Sequence, residues 1–203
     1  MKTLKEIEAV YKKGSPEWYQ AAYKIIKFDK GFEAQILATA KRVLAGKPRY
    51  VSIEVFTGVP WYMIACVHNM ECSGNFKGVL HNGEPIVGTG QKTKLVPAGC
   101  GPFATWEDAA LDAIKTQSLY KVPIWTIGHI LKQCELFNGS GYLKYHGNEN
   151  SPYVWACSNI NDGTGKYVAD GKWSETAKTN GQVGAATIIR QLEIMGELKP
   201  LFT

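Results

Sequence analysis

Residues 61–72, Trp61-Tyr62-Met63-Ile64-Ala65-Cys66-Val67-His68-Asn69-Met70-Glu71-Cys72, decide how this chain is read. Gly58-Val59-Pro60 opens a helix ahead of them and Gly74 ends it behind them. Spacing of i, i+4 and i+7 puts Ile64, His68 and Glu71 on one face. That face is apolar toward its beginning, at Trp61, Ile64 and Ala65, so Glu71 falls at the C-terminal end of a buried helix, just before a Gly/Asn-rich loop. Partial desolvation and the negative end of the helix dipole both favour the protonated carboxyl there. A carboxylic acid that holds its proton is what protonation of a glycosidic oxygen requires. A glutamate in the last turn, open to water or tied to a lysine, reads the same stretch without chemistry.

Outward from this helix the chain is mainly α, in an α+β sense. Residues 3–13 form a short amphipathic helix closed by Gly14, and Ser15-Pro16-Glu17 starts a longer one toward Ala45, with Gly31 a point of breakage. Gly46-Lys47-Pro48 stops it, and residues 50–56 fit a strand or a helix alike. Residues 75–101 are rich in Gly, Thr, Pro and Lys and form a small β-hairpin or a long ordered loop, of the length that often carries function. Thr105 caps a helix through Asp108. Another helix covers 123–137, residues 138–182 show little periodicity, and a last helix runs to about Met195.

The 203 residues suit one domain or two intimately packed lobes, and 45% hydrophobic content excludes wholesale disorder. No apolar run approaches the roughly 20 residues of a membrane span, so no membrane insertion is expected. Met1–Lys13 lack the apolar region of a secretory signal. Five irregularly spaced cysteines argue for a chain made in a reducing compartment, without a disulfide framework. The net charge of +5 suits an anionic polymer or plain solubility, but the lysines are scattered and nucleic acid is not expected as a partner. Six Trp and ten Tyr suit both a core and a sugar-binding cleft.

Several motifs together carry a resemblance. Glu71-Cys72-Ser73-Gly74-Asn75-Phe76 is similar to the Glu-Ser-x-x-x-Phe element of lysozyme-like muramidases and lytic transglycosylases. The stretch ECSGNFKGVLHNGEP resembles the segment of goose-type lysozymes that carries the catalytic glutamate. HNMECSGNF, LHNGEPI, PFATWEDAALDAI, FNGSGY, SPYVWACSN, GKYVADGKW and GAATIIR occur in the order found in phage and bacterial lysozyme-like proteins. They extend from about Val59 to Arg190; residues 1–50 resemble nothing and count as helical padding.

The resemblance implies a single lysozyme-like domain over 1–203, with the motifs in 59–196 and a cleft between two lobes. The Glu71 helix and 75–101 would form one wall, and 138–175 the other. It implies a peptidoglycan glycosidase, an endolysin-type muramidase cutting between N-acetylmuramic acid and N-acetylglucosamine. Glu71 would be the general acid and Glu84 the second catalytic group. His81, Asn82, Asn138, Tyr142, Tyr153, Trp155, Asn159 and Tyr167 would line the saccharide site, with Tyr153 and Trp155 on an extended segment. Ser158 is a second-tier candidate, and Asp170-Gly171 is a turn first and a distal carboxylate second. Cys72 replaces the usual serine, and no aspartate falls between Glu84 and Trp106, so lytic transglycosylase chemistry with a single acid stands as the alternative.

No metal or cofactor is implied, and the chain is expected to act as a monomer on glycan strands. It would be made in a host cytoplasm and reach the wall after holin-mediated release. Three rivals compete. A zinc site at H-x-x-E-C needs further ligands, and His81, His129 and His146 lie on unrelated segments. A wall peptidase would use Cys72 or Cys100 with His81 or His146; Cys72 sits near a helix C-terminus, which opposes the thiolate. A catalytically inactive saccharide-binding or phage structural module is the third.

Overall fold

A computed structural model describes residues 3–201 except Asn148 and Asp170. The chain is mainly helical with one small antiparallel hairpin, the mainly-α, α+β class that the sequence predicts. It folds as two compact units, one built from the chain up to Ala40 and from Ile124 onward, the other from Lys41–Pro123.

The first unit contains α1 (Leu4–Glu8), α2 (Pro16–Lys24), most of α3 (Glu33–Ala45), α7 (Ile127–Phe137), α8 (Gly141–Tyr145), α9 (Pro152–Trp155), strands β1 (Thr164–Ala169) and β2 (Lys172–Lys178), and α10 (Ala185–Ile194). The N-terminal helices are therefore core rather than padding. Thr3 closes a capping box with Glu6, and Ser15 caps α2 ahead of Pro16. α2 packs on α7 at Gly128, where a side chain would run into the Pro16 carbonyl. Trp18, Tyr19 and Trp155 fill the centre, with Tyr19 stacked on Trp155 at 6.1 Å. Burial of three large aromatics in one cluster supplies much of this unit's hydrophobic stabilisation.

The second unit contains α4 (Lys47–Thr57), α5 (Trp61–Cys72), α6 (Trp106–Thr116) and a single 3-10 turn at Leu119–Lys121. Residues 50–56 are helical: Gly46 precedes a helix with Pro48 in its first turn, and Ile53 packs inward. Thr105 makes the capping box with Asp108 that starts α6. Among the described residues, 75–101 hold no strand, only turns. Side chains take the backbone donors that a ladder would use. Glu84 accepts from Lys94 and Leu95, and Thr93 Oγ1 accepts from Cys100.

The hairpin sits instead in the stretch without periodicity, pairing Tyr167 with Trp173 and Ala169 with Lys172. Its register is irregular on either side of Lys166-Tyr167, which blurs the period-2 pattern. Gly171 lies in the connection, while Asp170 is outside the described residues. Among the described residues no helix is long and apolar enough to cross a membrane.

Candidate functional site

Helix α5 is buried from Met63 through Asn69, and Met70, Glu71 and Cys72 are half-buried at its end. Ser73 takes a left-handed conformation (φ 55°) and donates its N–H to the Asn69 carbonyl at 2.9 Å. This ends the helix one residue ahead of Gly74. Gly83 (φ +77°) lies against the end of the same helix, where a β-carbon would collide with the Glu71 carbonyl. The HNG turn is thus packed onto the backbone that carries Glu71.

His68, one turn before Glu71, faces the interior. The Tyr50 hydroxyl lies 2.8 Å from its Nδ1 and the Asn75 carbonyl 3.1 Å from its Nε2. Nε2–H therefore donates to Asn75 while Nδ1 accepts from Tyr50, a neutral tautomer. Burial lowers its pKa to about 4, although the bond to Asn75 pulls the other way. Phe76 and Trp106 close the cage around it. Arg49 stacks over Phe76 and grips Glu107 with two hydrogen bonds of 2.6 and 2.7 Å. Phe76 of the Glu-x-x-x-x-Phe element is thus a wall of the histidine cage.

The other expected residues of this unit are engaged in holding the loop. Glu84 accepts hydrogen bonds from Asn82 Nδ2 and from the N–H groups of Lys94 and Leu95. Asn82 also donates to the Leu95 carbonyl at 3.1 Å. His81 is buried, stacked on Phe103, with Nε2 2.9 Å from Asp112 on α6. Burial pushes the Cys72 thiol up to about 12, against a nucleophilic role.

The remaining expected residues lie in the first unit. Tyr142 and Tyr167 meet edge-to-face at 5.5 Å. Two more residues complete the group: Trp173, which the sequence reading missed, contacts both, and His146, named only in the rival zinc and peptidase readings, stacks on Trp173 at 3.6 Å. The hairpin pairing is the signal that would have found Trp173. Asn138 is exposed at the end of α7. Tyr153 and Trp155 belong to the buried helix α9, not to an extended segment, because Pro152 starts a helical turn after Ser151. Asn159 uses its side chain to bridge the Lys27 N–H and the Ile25 carbonyl, and Ser158 is buried.

Two further features have chemistry, and the first brings together Cys100 and His81, a pair that the peptidase reading named. His81, Cys100 and Asp112 present ligand atoms within 4.8 Å of one another, and among the described residues no other such group of three occurs. Cys100 is held by the 93–100 loop, its N–H on Thr93 Oγ1 at 2.9 Å. Glu135 is buried on α7, its pKa raised by that burial to about 7. Its position in the apolar stripe Ile127, Leu131, Glu135 is the sequence signal for it. No protein-family model, curated protein or solved structure matches the chain.

Proposed function

We propose that the chain is a peptidoglycan glycosidase with Glu71 as its general acid. The half-buried position of this carboxylate at the end of a buried helix carries the reading. The glutamate would protonate the glycosidic oxygen of the β-1,4 bond between N-acetylmuramic acid and N-acetylglucosamine. The C–O bond breaks, and positive charge develops at the sugar ring. Water then adds to the ring carbon, or the substrate's own hydroxyl does so and leaves an anhydro end, and in either case the attacking O–H gives its proton back to the Glu71 carboxylate. With Glu84 occupied by three donors, the substrate is the better partner for that charge, which favours a single-acid mechanism. Fixation of the HNG turn against the Glu71 backbone supports a rigid site, as acid catalysis requires.

A second reading rests on the proximity of Cys100, His81 and Asp112. A thiol, an imidazole and a carboxylate in that order are the parts of a cysteine peptidase, here one acting on wall peptides. Digestion of purified peptidoglycan by wild type, Glu71→Gln and Cys100→Ser separates the two, with products read by mass spectrometry. Glycosidase activity gives new reducing or anhydro-muramyl ends, lost in Glu71→Gln and kept in Cys100→Ser. Intact glycan with free peptides, lost only in Cys100→Ser, overturns the first reading in favour of the second.

A further inference from the structure

Seven buried side-chain nitrogen or oxygen atoms lack a hydrogen-bond partner among the described residues, and five of them belong to residues lining one cavity. They are Trp18 Nε1, Tyr19 OH, Glu135 Oε1, Asn150 Oδ1 and Ser151 Oγ. The cavity has a volume of about 10 Å³ and lies within the first unit. The Tyr19 and Ser151 hydroxyls act on the Glu135 carboxyl without reaching it in direct hydrogen-bond geometry, and leaving these groups unpaired in an interior would cost up to about as much as a domain retains as net stability. Their convergence therefore specifies a ligand.

We infer that this cavity is a binding site for one internal water molecule, which donates to Glu135 Oε1 and Asn150 Oδ1 and accepts from Trp18 Nε1 and one of the Tyr19 and Ser151 hydroxyls. The volume matches the smallest space that holds a water molecule. The donor set selects water over an ion of similar size. Glu135 Oε1 and Asn150 Oδ1 only accept, if the carboxyl is ionised, while the Trp18 indole N–H only donates. A cation would leave the indole unsatisfied, and an anion would meet the carboxylate. Water donates two hydrogen bonds and accepts two, and the Tyr19 and Ser151 hydroxyls can turn to either role. Asn150 is fixed for the task, because its Nδ2 donates to the Ile160 carbonyl at 2.8 Å and Asn161 donates to its backbone oxygen at 2.7 Å.

The water also supplies solvation that Glu135 otherwise lacks. Tyr19 from α2 and Ser151 ahead of α9 face the carboxyl, and Tyr142 from α8 lies within its field. Among the described residues the nearby cation is Lys13, and it is committed elsewhere: its ammonium donates to the carbonyls of Gly147 and Glu149 at 2.7 and 3.1 Å. Glu8, Glu149 and Asp162 also act on that ammonium. Burial still dominates and holds the Glu135 proton to about pH 7.

Two measurements test the site. A crystal structure of the full chain that orders solvent should show a single peak within hydrogen-bond distance of Glu135, Asn150 and Ser151. Direct pairing of these side chains with no density between them overturns the inference. Titration of the ¹³C-labelled Glu135 carboxyl by NMR gives the second arm. In Ser151→Val, whose added bulk fills the cavity, the midpoint should rise by about one pH unit as the water leaves. Tyr19→Phe removes one partner without adding volume, and should give a smaller rise even if the valine variant does not fold. An unchanged midpoint in every variant that folds also overturns the inference.

Discussion

The Tyr50 hydroxyl meets His68 Nδ1 at 2.8 Å in the interior of the second unit, one helical turn before Glu71. With Asn75 holding Nε2, the imidazole is locked neutral, and both its nitrogens are spent on structure. It can therefore neither shuttle protons for Glu71 nor bind a metal without dismantling the cage of Tyr50, Phe76 and Trp106. What it provides is a fixed floor beneath the helix end.

That lock predicts acid sensitivity. The His68 pKa falls from 6.5 to about 4 on folding, so the folded state binds fewer protons than the unfolded chain. Its contribution to stability is complete above pH 6.5 and lost as pH falls through about 4. A shift of this size corresponds to about 3 kcal/mol. The His68 imidazole resonances should remain those of a neutral ring at pH 5.5. Protonation with an ordinary midpoint near 6.5 would show that the ring is not held as described.

Glu135 acts with the opposite sign in the first unit. Its pKa rises on folding from 4.5 to about 7, so its contribution to stability is complete below 4.5 and lost as pH climbs through about 7. Glu135→Gln keeps the shape and removes the charge. It should stabilise the first unit by about 3 kcal/mol at pH 8 and by far less at pH 4.5. Chemical denaturation of wild type and variant at both values checks this, and equal effects at the two would refute it.

Much of the fold was legible because local signals and tertiary context agree. Thr105 with Asp108 and Ser15 with Pro16 start helices where the spacing places them. The hairpin was illegible for a physical reason: register breaks beside Lys166 and Tyr167 spoil alternation, and polar residues populate both faces. Residues 75–101 mislead in the opposite sense. Val79-Leu80 and Leu95-Val96 have β-like side chains, but glutamate and threonine side chains capture the backbone donors. Glu71 was legible because helical spacing alone puts it at the helix end. Cys100 with His81 was among the rival readings, but Asp112 as the third member and the Glu135 cavity could not be read, since each depends on segments far apart in the chain.

Glu84 distinguishes charge from hydrogen bonding. Its carboxylate serves Asn82, Lys94 and Leu95, and glutamine keeps one acceptor oxygen for the two backbone donors. Glu84→Gln should retain glycan cleavage to within about threefold, whereas Glu84→Ala frees the loop and costs about 1–3 kcal/mol. A loss of about a hundredfold or more in a well-folded Glu84→Gln would instead assign its charge to the reaction.

Thiol reactivity gives a map of the interior. Cys66, Cys134 and Cys157 are buried, and burial raises the pKa of Cys134 to about 12 and of Cys157 to about 11. Cys72 is half-buried but also stands at about 12. Cys100 alone combines partial exposure with a neighbouring imidazole. Brief treatment with iodoacetamide at pH 8 should label Cys100 first, as read by peptide mass spectrometry. Earlier labelling of Cys72 would contradict the packing at the end of α5.

Gly83 is the most sensitive point of the proposed site. Its φ of +77° lies in the left-handed region, and an added β-carbon would meet the Glu71 carbonyl, a backbone atom that has no room to give. Gly83→Ala therefore pays backbone strain and a steric clash together, at least about 2 kcal/mol. For a chain of this length that is a fall in melting temperature of roughly 4–8 °C. The relief available to the protein is to push the HNG turn away from α5, which alters the setting of Glu71. Cleavage of peptidoglycan should then drop by at least about tenfold below the melting transition, because small misplacements of a catalytic group are costly. Gly88→Ala is the matched control: it bears the same left-handed strain (φ +75°), but its added methyl comes no nearer than 3.9 Å to the Ala104 carbonyl and leaves the Glu71 backbone untouched. It should destabilise less and leave more activity. The reverse ranking would detach the turn from the acid.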